Sequence, residues 1–248
     1  MTGGSRGIGR AICLALADEG ASVAVNYRSG EAQAQEVVKE IEAKGGNAIA
    51  VQGDVAEYDE AAMVVQQTVD ALGGLYILVN NAGIARDLLI FNMEPQDWLD
   101  VMRVNFGGVF NCTKAAMPHF MGEREGSIVN VSSVMGERGW VGESNYAASK
   151  GAINAFTRCA AVELARFGVR VNAVLPGFAP TELVGGLVEK DGGKGILKQI
   201  PMKSFASVEE VARVVAFIAG PDASYMTGSH IIVDGGASTI LGVGAPLS

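Results

Sequence analysis

The sequence predicts an α/β protein, a single doubly wound parallel sheet flanked by helices on both faces. Short apolar runs alternate with amphipathic stretches of about 12–15 residues, the pattern of parallel strands joined by right-handed helical crossovers. The runs, among them ASVAVNY (21–27), LYILVN (75–80) and GSIVNVSS (126–133), are near-continuously apolar, as strands covered on both faces are. A hydrophobic content of 49% against 19% charged residues supplies the material for such a core. No repeat, low-complexity linker or composition break divides the 248 residues, so one domain is expected.

The elements follow in order. Residues 2–9, TGGSRGIG, open directly onto an amphipathic helix whose apolar positions include Ile8, Ile12, Leu14 and Leu16. A glycine-rich turn at a helix start lets backbone N–H groups and the positive helix end approach a phosphate. The spacing is Gly3-x-x-x-Gly7-x-Gly9 rather than G-x-G-x-x-G, and taken alone a plain tight turn reads equally well. A strand at 21–27 is followed by a polar helix around 30–44, a Gly45-Gly46 turn and a strand at 47–52, closed by Asp54. A helix around 57–72 leads to the strand at 75–80 and the turn Asn80-Asn81-Ala82-Gly83. One long helix is expected over about 95–121, with Asn105 in its middle. The strand at 126–133 carries Ser132 and Ser133 at its carboxyl end, where ligands sit in open α/β sheets. A helix bearing Tyr146 runs to about Phe167, and a strand at 169–175 ends at Pro176-Gly177. After a less regular, glycine-rich stretch over 182–200, a helix around 207–219 and a strand at 230–236 finish the sheet.

Charge and composition exclude several functions. The net charge is -8, and no run of Lys or Arg offers a nucleic-acid footprint. Cys13, Cys112 and Cys159 are isolated, odd in number and set in apolar helical patterns, and read as buried thiols of a reduced compartment. His119 and His230 belong to no ligand cluster, so no metal site is expected. Without a signal peptide or an apolar run of about 20 residues, the default is a soluble cytoplasmic protein.

The densest chemistry lies in SSVMGERGWVGESNYAASK (132–150), which sets a hydroxyl (Ser133), a phenol (Tyr146) and an ammonium (Lys150) in one short segment. Tyr146 and Lys150 are four apart, one turn along the same helix face. A cation about 6 Å from a phenol, at an effective dielectric near 20, favours the phenolate by roughly 2.8 kcal/mol. That is a downward shift of about two pKa units, toward a usable general acid. The spacing alone fits a surface helix with an ordinary tyrosine and lysine better, because that pattern is common.

With these motifs in place the chain resembles the short-chain dehydrogenase/reductase family over nearly its whole length: TGGSRGIG at 2–9, DV at 54–55, NNAG at 80–83, Asn105, Ser133, YAASK at 146–150 and PG at 176–177. AGIARD (82–87), NFGGVFNCTKA (105–115) and YMTGSHIIVDGG (225–236) carry a narrower likeness to the 3-oxoacyl-(acyl-carrier-protein) reductases of fatty acid biosynthesis. The resemblance implies a Rossmann-type fold and a catalytic tetrad. Tyr146 would protonate the carbonyl oxygen, Ser133 would hydrogen-bond it, Lys150 would depress the tyrosine pKa and bind the nicotinamide ribose, and Asn105 would hold a water linking Lys150 to solvent. It also implies that Gly3, Ser5, Arg6, Gly7, Ile8 and Gly9 shape a pyrophosphate turn, and that Asp54 and Val55 meet the adenine. Asn81, Ala82 and Gly83 would line the cofactor pocket, with Pro176, Gly177 and Thr181 at the carboxamide end. The second family strand ends here in Tyr27 and Arg28 with no carboxylate to bind a ribose 2′-hydroxyl, and Arg28 and Arg6 could pair with a 2′-phosphate, so NADP(H) is favoured and NAD(H) allowed.

The same resemblance implies a thioester or small-molecule substrate, an acyl carrier protein as a partner and a homotetramer. The alternatives are a dehydrogenase of a secondary alcohol or sugar-derived substrate, and a non-catalytic cofactor sensor. Three departures stand out. The family places a central apolar strand before the glycine turn, whereas this sequence starts at Met1, which suggests upstream residues that an intact mass would reveal. Its loss would unpair both neighbouring strands. Pro180 would stiffen the start of a lid loop, and the tail after Gly236 is longer than expected. Arg124 and Arg166 are the candidates for a basic patch at the site entrance that would receive an acidic carrier.

Overall fold

The computed structural model describes residues 1–180 and 193–239. Within them lie the strands β1 (Val23–Tyr27), β2 (Ala48–Gln52), β3 (Ile77–Asn80), β4 (Gly126–Val131), β5 (Val169–Pro176) and β6 (His230–Val233). Every pairing is parallel: β1 with β2, and β3, β4, β5 and β6 in that order. The helices are α1 (Gly7–Asp18), α2 (Glu31–Ala43), α3 (Tyr58–Leu72), α4 (Pro95–Met102), α5 (Gly108–Glu123), α6 (Ser144–Leu164), the short α7 (Lys194–Leu197) and α8 (Val208–Ala219). Helices α1, α2 and α8 cover one face through Ile12, Val37, Ile41, Val215 and Ile218. Helices α3, α5 and α6 cover the other through Val65, Phe120 and Leu164, which share a core with Ile128 of β4. Two buried faces explain why β4 is buried at every residue and why the strand sequences show no alternation.

The two sheet segments meet at the start of the chain. Asn26 N–H donates to the Met1 carbonyl and Thr2 N–H to the Val79 carbonyl, each at 3.0 Å, so Met1 and Thr2 lie between β1 and β3. Toward the amino ends of those strands the sheet opens into a cleft of about 390 Å³, lined by Ala24, Leu72, Ile77, Leu78 and Cys112. The Met1 ammonium donates to the Ala24 carbonyl at 3.1 Å, and burial lowers its pKa.

Two sequence expectations need correction. The long helix over 95–121 is two helices, α4 and α5, joined by a π-helical turn at Arg103–Gly107. The added residue in that turn rotates Asn105 into the interior, where its amide is bonded on both sides. Cys13 and Cys112 are buried, but Cys159 is exposed, because it falls on the outer side of α6. The lid stretch falls largely, and the tail beyond Thr239 wholly, outside the described residues. No described helix is long and apolar enough to cross a membrane.

Candidate active site

The glycine turn is built for close approach. Gly3 and Gly7 have φ of +60° and +53°, where a side chain would be strained. A Cβ on Gly3 would lie 3.0 Å from the Ala82 Cα, and one on Gly9 would overlap the Gly3 carbonyl oxygen. The first turn of α1, at Gly7, Ile8 and Gly9, has no side-chain cap from Arg6. Its N–H groups therefore face outward as a cradle for an anion, which fits the pyrophosphate of a dinucleotide. The Thr2 hydroxyl accepts from Asn81 N–H at 2.9 Å and Ala82 N–H at 3.1 Å, and the Asn81 amide donates to the Thr2 and Gly3 carbonyls. These bonds weld the turn carrying Ser5 and Arg6 to the loop carrying Asn81, Ala82 and Gly83. The sequence reading gave no role to Thr2, because a threonine beside a glycine turn carries no signal until the β3 loop folds over it.

Tyr27, Arg28, Asp54 and Val55 come together at the carboxyl ends of β1 and β2. Tyr27 is buried, and the exposed Arg28 guanidinium stands 3.8 Å from the Asp54 carboxylate. Asp54 also caps its own loop, its Oδ1 accepting from Ala56 N–H at 3.0 Å. Asn111, a residue the sequence did not single out, donates to the Val55 and Ala56 carbonyls and fixes this corner.

Ser133, Tyr146 and Lys150 line a cleft of about 110 Å³ together with Ile8, Asn81 and Gly83, closed by Pro176 and Gly177. Ser133 follows β4 and its Oγ accepts from Met135 N–H at 3.1 Å, while the hydroxyl also reaches the Tyr146 phenol. The short turn after Ser133 touches α6 closely: a Cβ on Gly136 would sit 2.8 Å from the Lys150 carbonyl carbon. Lys150 Nζ lies 5.4 Å from the Tyr146 ring centroid and donates to the Val131 carbonyl at 2.9 Å. Asn105 is fully buried; its amide donates to the Ile84 carbonyl and to Ser149 Oγ, each at 3.0 Å, and its oxygen accepts from Ile84 N–H at 2.8 Å. Asn105 thus ties the Gly83–Ile84 loop to α6. Thr181 lies outside the described residues.

The expected depression of the phenol pKa is corrected by the electrostatics. Tyr146 is pushed well above its ordinary value, first by burial and then by Glu143, with Asp87 adding to the rise and the Ser133 hydrogen bond opposing it. The Lys150 ammonium stands over the ring face and donates a hydrogen bond to a backbone carbonyl, and burial lowers its own pKa to about 8. Burial, followed by Asp87, raises Glu143 to about 7. An i, i+3 acid before the tyrosine was the available sequence signal, but its burial depends on the loop after β3. Arg124 and Arg166 are also corrected. They precede β4 and β5, so in a parallel sheet they sit at the amino ends, opposite the cleft, where Arg124 donates to the Arg166 carbonyl at 2.9 Å. Among the described residues no cluster of three His, Cys, Asp or Glu could hold a metal ion.

Comparison with known proteins adds to this geometry. A family model described as Enoyl-(Acyl carrier protein) reductase matches residues 3–238. The 3-oxoacyl-[acyl-carrier-protein] reductase FabG of Staphylococcus aureus (strain Mu50 / ATCC 700699) is 45% identical over 236 residues, covering 95% of this chain and 96% of that protein. The 3-oxoacyl-[acyl-carrier-protein] reductase of Synechocystis sp. is 45% identical over 237 residues, covering 95% and 94%. A solved gluconate 5-dehydrogenase from Burkholderia cenocepacia J2315, in complex with NADP and tartrate, superposes with a TM-score of 0.92 at 33% identity, over 97% of this chain and 94% of that one.

Proposed function

The chain belongs to the short-chain dehydrogenase/reductase family of NAD(P)-dependent oxidoreductases, and from that premise we propose that it reduces a 3-oxoacyl thioester to the hydroxy compound with NADP(H). The observation that carries this reading is the convergence of Ser133, Tyr146 and Lys150 on one cleft facing the glycine turn. The 45% identity to 3-oxoacyl-[acyl-carrier-protein] reductases supports the substrate class. Arg28 at the end of β1, with no acidic residue there, supports NADP(H).

The reduced nicotinamide, when bound, supplies the hydride. The chain's own residues do the rest. The backbone N–H groups at Gly7, Ile8 and Gly9 hold the pyrophosphate, and Arg28 and Arg6 neutralise the 2′-phosphate. Ser133 Oγ donates to the substrate carbonyl oxygen and stabilises the charge that develops there. Tyr146 gives its phenolic proton to that same oxygen, so the product leaves as an alcohol. The raised phenol pKa keeps this proton in place until it is needed. Lys150, charged below a pH of about 8, binds the ribose hydroxyls and offsets the phenolate that remains. Asn105 holds the loop after β3 against α6, and in this reading a water beside it would reconnect Lys150 to solvent. The working assembly in this reading is a homotetramer, with an acyl carrier protein or coenzyme A bearing the substrate.

The test is NADPH consumption with acetoacetyl-CoA, beside an NADH control and the Tyr146→Phe variant. NADPH-selective turnover that falls at least about a hundredfold in the variant is the expected result. The likeness to a gluconate 5-dehydrogenase favours a second reading, oxidation of a secondary alcohol or sugar acid. Turnover of such a substrate without the thioester would replace the first reading by the second. NADPH binding with turnover of neither would leave a cofactor sensor.

A further inference from the structure

Ser132 carries a buried hydroxyl at the end of β4 for which the reaction above has no use. It is 3% exposed, and its N–H donates to the Val174 carbonyl at 2.8 Å, which continues the ladder between β4 and β5. A hydroxyl this deep is unfavourable unless bonded. Its partner is the main chain of Lys150, whose carbonyl accepts from Ser132 Oγ at 3.1 Å. A carbonyl inside a helix keeps a second lone pair for such a bond, beside the one its own helix uses.

The neighbouring strand residue takes the other end of the same lysine, for Lys150 Nζ donates to the Val131 carbonyl at 2.9 Å. Two consecutive residues of β4 thus hold the backbone and the tip of one side chain, and Lys150 is buried between them. The turn after Ser133 backs this arrangement: a Cβ on Gly136 would lie 2.9 Å from the Gly151 nitrogen, in the peptide that Lys150 begins. An ammonium has three N–H donors, so the bond to Val131 leaves two, enough for the two hydroxyls of a ribose. A lysine loses rotamer freedom when it is immobilised on a ligand, and here folding has already removed it.

We propose that Ser132 is a positioning residue for Lys150: its hydroxyl fixes the Lys150 peptide against β4, so that the ammonium is already placed for the cofactor ribose. The proposal rests on Lys150 holding that ribose, as in the reading above. A matched comparison stands two residues back on the same strand. There Asn130 Nδ2 donates to Thr157 Oγ1 at 2.9 Å and ties α6 to β4 further along the helix.

NADPH binding, followed by fluorescence titration, tests this without any substrate. Ser132→Ala should bind about three- to tenfold more weakly, and Ser132→Thr, which keeps the hydroxyl, should stay within about twofold of the parent. Ser132→Cys, a weaker donor, should fall between them and carries the test if Ser132→Ala does not fold. In a Lys150→Met background the same Ser132→Ala change should cost less than about twofold, because the group it acts through is gone. Thr157→Val removes the other tie; it should lower stability while leaving NADPH affinity within about twofold of the parent. In the free protein, Ser132→Ala should speed amide exchange at Asn154, whose N–H shares the Lys150 carbonyl within α6. Equal losses in both backgrounds, an equal loss in Thr157→Val, or unchanged affinity in Ser132→Ala would overturn the proposal. The expected weakening in a protein that reduces no thioester would keep the positioning role and remove the reductase reading. Thioester reduction with unchanged affinity would do the reverse.

Discussion

Lys150 is a lysine held in the interior with one backbone carbonyl as its hydrogen-bond partner, and its pKa drops from 10.5 to about 8. The sign of the consequence follows from linkage. The unfolded chain binds the proton more tightly, so this group destabilises the fold fully below about pH 8, progressively less from there to pH 10.5, and not at all above. The penalty at pH 7 is on the order of 3 kcal/mol. Lys150→Met removes it but leaves the Val131 carbonyl without its partner, at a cost of about 1–2 kcal/mol. The variant should therefore be inactive yet more stable than the parent by roughly 1–2 kcal/mol at pH 7, with the advantage gone near pH 10.5. Urea midpoints at the two pH values measure this, and an advantage that does not change with pH would refute the assignment. At this scale the placing of Tyr146 and Lys150 one turn apart was legible, because four-residue spacing on a helix is a local fact, and Ser133 stood out by its place at the carboxyl end of a strand. The direction of the Tyr146 shift was not, because it depends on burial by other elements and on carboxyls at Glu143 and Asp87.

The elements hold the site through close backbone approaches and one helix irregularity. Gly9→Ala would drive a methyl group into the Gly3 carbonyl, opening the turn proposed to hold the cofactor. It should abolish NADPH binding in a fluorescence titration while lowering stability by no more than about 1–3 kcal/mol; unchanged binding would mean that the turn does not form the cradle. The π-turn acts at longer range. Asn105→Ala removes three hydrogen bonds that tie Ile84 and Ser149 together. It should cost about 1–3 kcal/mol and loosen the Gly83–Ile84 loop, visible as faster amide exchange at Ile84. Ser207→Ala, at the capping box of α8 far along the chain from the cleft residues, should cost about 1 kcal/mol and leave turnover unchanged. The sequence showed where α4 and α5 lie but not their junction, since one added residue barely disturbs a 3.6-residue apolar period. It showed the glycine turn by composition, while only the folded β3 loop reveals what each missing Cβ makes room for.

For the molecule as a whole, the alternation of strands and helices made the parallel, two-faced architecture legible, because local periodicity and right-handed crossovers leave few other solutions. The break in the ladder between β1 and β3 belongs to another level, that of strand order in space. Strands β4 and β5 are each paired on both sides, whereas β1 pairs along its length with β2 alone and on its inner side meets Met1. Strand alternation turns the Val23 N–H toward Asn47 and the Asn26 N–H toward Met1, so the Ala24 N–H points into the cleft. Native-state hydrogen exchange should accordingly divide the sheet. Amides of Ile128, Val129, Val171 and Ala173 should exchange only through global unfolding. In a chain that begins at Met1, those of β1 and β2 should open at a free energy lower by at least about 2 kcal/mol, with Ala24 the fastest of them. Equal protection across the sheet would mean that the helices bind the two halves more strongly than the ladder does. The shared core of α1 and α8, which joins Ile12 and Leu16 to Val215 and Ile218 beside β1, would then be the element to weaken. In that case Leu16→Ala should uncouple the halves and restore the difference in exchange, because it deletes apolar contact at the cleft wall without touching a strand.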